Sequence, residues 1–289
     1  MKTVHPGSRP PPLLALVLGG GAARGAAHIG ALRALVEDGL VPDLLVGVSM
    51  GAIVGAVFAM EADHWRALER LERAAAALQE RFADLAAPVR LLRALHLFGR
   101  RQRRRWLKEG LGLGDLNFGQ LHPPLLVTAA RIFPPGRSVL GTTPGESVLG
   151  ALMATSAMPS RLPVRYGRTL LMDGAMAGNL PALPAVAHGA RVIVAANLGF
   201  LFKRREDIGR FFPWRMIDRL GKAQMAWELQ KCWRLGATVI EIGPGNIEAE
   251  SIIAFEKLDK LIEEGYKATK LRVPAIKGAL QKARVIPSS

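Results

Sequence analysis

Gly47-Val48-Ser49-Met50-Gly51 constrains this 289-residue chain more than any other stretch, because it sets a serine between two glycines where a strand gives way to a helix. Leu44-Leu45-Val46 before it is a short apolar run of strand type, and Ala52 to Met60 after it is small and apolar, as in a packed helix. In a G-x-S-x-G elbow, Gly47 and Gly51 let the backbone bend sharply and leave room around an exposed hydroxyl. The helix N-terminus adds its positive end beside that hydroxyl. A tight, non-catalytic strand–helix connection accommodates the same five residues.

Leu13-Leu14-Ala15-Leu16-Val17-Leu18 is a strand-like run that opens into Gly19-Gly20-Gly21-Ala22-Ala23-Arg24-Gly25, followed by a helical stretch from Ala26 to Glu37. Such a loop aims backbone N–H groups at one point and favours an anion there, either a bound phosphate or the oxyanion of an acyl-transfer intermediate. The dinucleotide pattern G-x-G-x-x-G fails: counting from Gly19 puts Arg24 in the last place, and counting from Gly20 puts Ala22 in the middle. No Gly-Lys-Ser/Thr follows, so the P-loop pattern fails as well. With a serine elbow downstream, the oxyanion hole is the better account.

Leu170-Leu171-Met172 is a further apolar strand, ending in Asp173-Gly174-Ala175, which alone is a common turn. The Gly-rich loop ending in Arg24-Gly25, the Gly47–Gly51 elbow and Asp173-Gly174-Ala175 together resemble the three motifs of the patatin-like phospholipases. That family includes bacterial lysophospholipase-type proteins and the esterase domain of neuropathy target esterase. Ala154-Thr155-Ser156-Ala157-Met158-Pro159, Asn179-Leu180-Pro181 and the helical stretch Phe255 to Ala268 extend the resemblance over roughly residues 13 to 270. Two departures stand out. Ala22 occupies a place where many members carry glycine, and Ser160-Arg161-Leu162-Pro163 lacks the phenylalanine often found after the small-residue turn.

The resemblance implies a Ser–Asp dyad; no cofactor is expected, and no metal, since the histidines lack H-x-x-x-H or similar spacing and a single cysteine cannot build a thiolate site. Ser49 is the implied nucleophile and Asp173 the group that takes its proton directly. The backbone N–H groups of Gly20, Gly21 and Ala22 are the implied oxyanion hole. Arg24 and Gly25 would support the loop, Arg24 by a structural ion pair or, alternatively, by attracting a phosphate head group. Gly174 is the turn glycine. The chemistry requires Asp173 within hydrogen-bond reach of Ser49 and partly desolvated, so that its basicity rises toward working pH.

A Ser-His-Asp α/β-hydrolase is the rival, and its triad runs in the order Ser, Asp, His. Only His188 follows Asp173, and it reads as the end of a short helix before Gly189, where a histidine complements the helix dipole. His28 falls in the first helix beside the Gly-rich loop and reads as packing; His5, His64, His96 and His122 show no partner pattern.

The chain is 49% hydrophobic, enough for a sizeable core. Strand-like runs at 13–18, 44–48, 125–131, 191–196 and 237–242 alternate with helical stretches, which predicts an α/β fold. Its central sheet is mostly parallel and flanked by helices on both faces, and the resemblance makes it a patatin-like three-layer sandwich with a helical basic cap. Residues 1–12 are expected to be a loose leader, 13–271 the acyl hydrolase domain with the helical basic segment 62–114, and 272–289 a basic C-terminal tail. No eighteen apolar residues run together, and Cys232 is the sole cysteine, which excludes an intramolecular disulfide and points to a reducing compartment. The expected location is cytoplasmic, peripheral on the inner face of a membrane.

The net charge of +15 is unevenly placed. Arg90, Arg93, Arg100, Arg101, Arg103, Arg104, Arg105 and Lys108 have no acidic residue among them and adjoin Leu91, Leu92, Leu95, Leu97 and Phe98, of which Leu91, Leu95 and Phe98 share one helical face while Leu97 strays toward the basic side. A basic segment with an apolar stripe suits an anionic membrane surface; nucleic acid ranks below that, and a merely solvated face is the bland account. Phe200 to Arg205 and Phe211 to Met216 interleave aromatic and basic residues, as either a lipid-facing lip or a packed connection into the helix Met216 to Arg234. The 62–87 stretch reads as an exposed helix with i,i+4 ion pairs. The leading function is a serine acyl hydrolase that cleaves fatty-acyl esters of phospholipids or lysophospholipids. The alternatives are an esterase or thioesterase acting on soluble acyl substrates through the same dyad, and a non-catalytic lipid- or nucleic-acid-binding member.

Overall fold

Apolar runs of about five residues, too short for stable helices, make the centre of one mixed sheet. The computed structural model of the chain describes residues 13–97, 99–158, 162–199, 212–243 and 245–285. Its strands are β1 (Leu14–Leu18), β2 (Leu44–Val48), β3 (Leu125–Arg131), β4 (Gly136–Leu140), β5 (Val164–Tyr166), β6 (Thr169–Met172), β7 (Val192–Ala196) and β8 (Thr238–Ile242). They lie in the order β5-β6-β3-β2-β1-β7-β8, with β4 also paired to β3. The five runs expected from the sequence are β1, β2, β3, β7 and β8, and they pair in parallel. Every residue of β1, β2 and β7 is buried, as in strands covered on both faces.

The helices are α1 (Ala27–Glu37), α2 (Met50–Ala59), α3 (His64–Glu80), α4 (Ala87–Leu97), α5 (Arg100–Arg105), α6 (Val148–Thr155), α7 (Leu183–Ala187), α8 (Phe212–Arg234), α9 (Leu258–Lys270) and α10 (Val273–Val285). Alternate β1 residues point to opposite layers. Leu14, Leu16 and Leu18 join the core beneath α1, α2, α3 and α9, whereas Ala15 and Val17 meet Leu180, Ala185, Met225 and Cys232 from the α7–α8 side. This is the three-layer α/β arrangement expected.

β4, β5 and β6 are antiparallel additions at the β3 side. β4 and β5 carry arginines and little apolar pattern, so their pairing partners decide them. Arg137 on β4 forms a two-pronged pair with the fully buried Glu228 of α8, at 2.6 Å and 2.5 Å, fastening this edge to the far helical layer. The stretch after residue 272 is the helix α10, with Val273, Ile276, Leu280 and Ala283 buried. The expected leader 1–12 and the 200–211 part of the aromatic–basic lip lie outside the described residues, as do Ser160 and Arg161. β2 and β3 lie to one side of β1, and β7 and β8 to the other. The loops that leave the C-terminal ends of β1 and β2 therefore meet where open α/β sheets hold ligands.

Candidate active site

Ser49 sits between β2 and α2 with φ +51° and ψ −123°, a left-handed conformation costly for any residue with a side chain. The surroundings hold it there. Ser49 N–H donates to Thr155 Oγ1 at 2.9 Å, and Thr155 Oγ1 donates on to Thr128 O at 2.5 Å. The start of α2 presses against β1 so closely that a Cβ on Gly51 would collide with the Leu18 carbonyl. The second glycine of the elbow is therefore a packing requirement.

Ser49 Oγ donates to Asp173 Oδ2 at 2.9 Å. Asp173 follows β6; its N–H donates to Ala157 O at 2.8 Å, and its Oδ1 accepts the Ala175 N–H at 3.0 Å. Gly174 lies against the Thr128 carbonyl, where a Cβ would collide. Burial pushes the Asp173 carboxyl up to about 6, against the opposing pull of the Ala175 N–H, the Ser49 hydroxyl and the charge of Arg103. A buried carboxylate hydrogen-bonded to a hydroxyl, with basicity near neutrality, is a pair that can exchange a proton.

The Gly-rich loop closes the site from β1. Gly20, Gly21 and Ala22 border the same cleft as Ser49, Asp173 and Asn179. The Gly20 N–H already donates to Asn179 O at 3.2 Å, which leaves Gly21 and Ala22 as the donors to consider for an anion. Ala22 has φ +47°, so its methyl group is carried at a conformational cost where glycine carries none. Asn179 Nδ2 binds Gly20 O at 3.0 Å and Gly199 O at 3.2 Å. Arg24 is buried and its Nε donates to Glu250 O at 2.8 Å, a brace for the loop. His28 is fully buried, held neutral by desolvation with its pKa lowered to about 4, and its Nε2 contacts Gly19 O at 2.7 Å. It props the loop from behind. His188 caps α7, with Nδ1 2.9 Å from Pro184 O, as the end-of-helix reading expects. Among the described residues, no three His, Cys, Asp or Glu side chains group as metal ligands would.

A family model described as patatin-like phospholipase matches residues 16–186, more than half of the chain and including all of the cleft residues named so far. The chain belongs to the patatin-like phospholipase family. It is 31% identical over 189 residues to the mouse patatin-like phospholipase domain-containing protein 6, covering 64% of this chain and 13% of that protein. It is 26% identical over 289 residues to the lysophospholipase NTE1 of Mycosarcoma maydis, covering 88% of this chain and 14% of that protein. The chain thus spans roughly one seventh of the length of these relatives. Among solved structures, human GIVD cytosolic phospholipase A2 superposes with a TM-score of 0.53 at 12% identity, over 94% of this chain and 60% of that one. VipD from Legionella pneumophila does so at 0.50 and 16%, over 93% and 68%. At such identities these two likenesses speak for the patatin fold alone.

A second cavity of this patatin-like chain shares Ala22 with the cleft. It is lined by apolar side chains, among them Ile29, Ile53, Val57, Leu71 and Leu78, with Trp106 at one wall, and is open to solvent. The basic segment divides sharply. Arg100, Arg101 and Arg104 are exposed, and Arg105 is exposed while pairing with Glu109 at 2.9 Å. Arg93 is exposed and donates to Arg81 O at 2.5 Å, and Lys108 lies 3.8 Å from Asp115. Arg90 is turned inward to Glu256 at 2.9 Å. Arg103 requires correction as a surface contact: it is buried, with Nη1 on Ser156 O at 2.6 Å and Nη2 on Met153 O at 3.2 Å. The carbonyls at the end of α6 draw it in. Thr155, Asn179 and Arg103 are the functional neighbours that sequence reasoning did not assign. The first two lie in quoted family segments, whereas Arg103 is indistinguishable by sequence from the arginines beside it.

Proposed function

We propose that this chain is a serine acyl hydrolase of patatin type, acting on fatty-acyl esters of phospholipids or lysophospholipids through a Ser–Asp dyad. The observation that carries the reading is the 2.9 Å hydrogen bond from Ser49 Oγ to the buried carboxylate of Asp173. In the first step Asp173 accepts the hydroxyl proton while Oγ bonds to the ester carbonyl carbon. The N–H groups of Gly21 and Ala22 receive the oxygen that becomes negative, Gly20 being committed to Asn179. Collapse of the tetrahedral species breaks the carbon–oxygen bond of the alcohol, which leaves with the proton from Asp173. Asp173 then takes a proton from water as it attacks the acyl-serine, releasing the fatty acid and restoring the hydroxyl. The dyad and its donors act without a cofactor in this scheme.

The apolar cavity beside Ala22 supports a fatty-acyl chain over a short soluble acyl group, because an alkyl chain removed from water there gains about 0.8 kcal/mol per methylene. The exposed Arg100, Arg101, Arg104 and Arg105 supply charge for an anionic membrane surface, and no helix among the described residues is long and apolar enough to cross a membrane. The reading therefore has a peripheral enzyme at the inner face of a membrane. The test is hydrolysis of phospholipids, lysophospholipids and short p-nitrophenyl esters beside labelling by a fluorophosphonate. Ser49→Ala should abolish both, and hydrolysis retained in that variant sinks the mechanism. A protein that cleaves only monomeric short esters belongs to the soluble-substrate alternative.

A further inference from the structure

Arg103 shares a six-residue helix with Arg100, Arg101, Arg104 and Arg105, yet its side chain turns inward while theirs remain exposed. Its guanidinium seats on the carbonyls of Met153 and Ser156, the last turn of α6. That turn carries two backbone links to the dyad. Thr155 Oγ1 accepts the Ser49 N–H at 2.9 Å, and Ala157 O accepts the Asp173 N–H at 2.8 Å. Ser156 itself borders the catalytic cleft.

The electrostatics run the same way. A helix C-terminus carries roughly half a negative charge, so α6 alone would oppose ionisation of a carboxyl that burial already disfavours. A guanidinium on those carbonyls offsets the dipole and adds a fixed positive charge near Asp173. The groups that act on Asp173 are the Ser49 hydroxyl from the elbow, the Ala175 N–H of its own turn and Arg103 from α5. Of these, Arg103 alone bears a charge.

We propose that Arg103 is a positioning residue for the dyad: by clamping the end of α6 it fixes Thr155 and Ala157 against Ser49 and Asp173, and its charge favours the carboxylate form of Asp173. The proposal rests on the Ser49–Asp173 reading. It also makes the basic segment part of the catalytic support, since α5 reaches the dyad through one side chain.

The experiment is the pH profile of kcat/KM on a soluble short-chain ester, with circular dichroism as the check on folding. Arg103→Gln should move the acid limb upward, by less than a directly paired charge would, since Arg103 seats on the α6 carbonyls and is the smallest of the influences on Asp173. Its rate at pH 6, taken relative to its own alkaline plateau, then falls below the same ratio for the parent. Arg103→Lys keeps the charge but loses the two-pronged seat, so kcat should fall at every pH while the limb and KM stay near the parent. Arg101→Gln, exposed on the same helix, should leave the limb in place. An unmoved limb in a folded Arg103→Gln protein overturns the proposal. Should that variant not fold, a limb displaced in Arg103→Lys as far as a lost charge requires overturns it equally. Ser49→Ala run in parallel separates the two levels: hydrolysis independent of Ser49 ends the dyad reading itself, whereas Ser49-dependent hydrolysis with an unmoved limb ends only the role of Arg103.

Discussion

The rim formed by the ends of β1, β2 and β6 and the basic segment between Arg90 and Lys108 both stand out in the sequence, and they behave differently in the structure. At the rim each notable residue answers a backbone demand. Gly51 must clear the Leu18 carbonyl, Gly174 must clear that of Thr128, and Ser49 must sit at φ +51°. In the basic segment the residue type demands nothing of the backbone, and similar side chains meet different fates: Arg103 is buried, Arg90 pairs inward with Glu256, and Arg101 and Arg104 face water. A motif set by sterics is readable where it stands, whereas the role of a charge depends on what lies opposite it.

The largest effect that tests this contrast is at the elbow. Gly51→Ala brings a methyl group onto rigid backbone, and overpacking of that kind costs about 1–3 kcal/mol or more. Thermal unfolding should show a fall in Tm together with lost turnover. An active Gly51→Ala protein of unchanged Tm would break the steric account.

Asp173→Asn follows, with two effects of opposite sign. Turnover should drop by roughly 10²–10⁴, the scale of one oriented acid–base group, while His188→Gln keeps most of it. Stability at pH 7 should rise instead. The folded carboxyl, raised to about 6, makes ionisation unfavourable to the fold, a cost absent below the ordinary 3.8, growing as pH rises from there and complete above about 6. The shift from the ordinary 3.8 corresponds to about 3 kcal/mol, so a gain of about 1–3 kcal/mol in denaturant unfolding is expected. The same ionisation places the acid limb of the parent's kcat/KM near pH 6, and a limb near 4 would separate Asp173 from the rate. His28 works oppositely. With its pKa lowered to about 4, its contribution is intact above about 6.5 and fades as pH falls toward 4.

Neutralising Arg100, Arg101, Arg104 and Arg105 together sharpens the other side of the comparison. Binding to anionic vesicles should weaken by about 1 kcal/mol per residue, and raised salt should imitate the change. Hydrolysis of a soluble ester should persist. Equal vesicle binding by parent and variant leaves these four as a solvated face, and loss of affinity for RNA alone moves the segment to nucleic acid. Smallest is Ala22→Gly, which relieves the left-handed strain while adding chain entropy to the unfolded state. A stability change within about 1 kcal/mol with turnover retained is expected, since the N–H and not the methyl faces the anion in the proposed mechanism. EDTA should leave the rate unchanged on the same grounds.

Much of this was legible. The five parallel strands showed as apolar runs because strands covered on both faces have no polar side to conceal them. β4 and β5 did not show, because Gly136-Arg137-Ser138 and Val164-Arg165-Tyr166 become strands only by pairing with β3 and β6. The stretch named a basic tail is the helix α10, whose buried Ile276 and Leu280 are spaced four apart.

The sequence by itself determined where the backbone must bend, where it must come close to another strand, and that Ser49 and Asp173 stand at two such places. Glycine and short apolar runs restrict the chain locally, and local restriction is written in local residues. Only the tertiary structure decided that Ser49 and Asp173, 124 residues apart, meet at 2.9 Å. It likewise decided that Gly20 is committed to Asn179, and that one arginine among five turns inward to the end of α6. Those outcomes follow from which elements the sheet order sets side by side. Hydrogen bonding and burial act on that neighbourhood, and residues distant in the chain supply it.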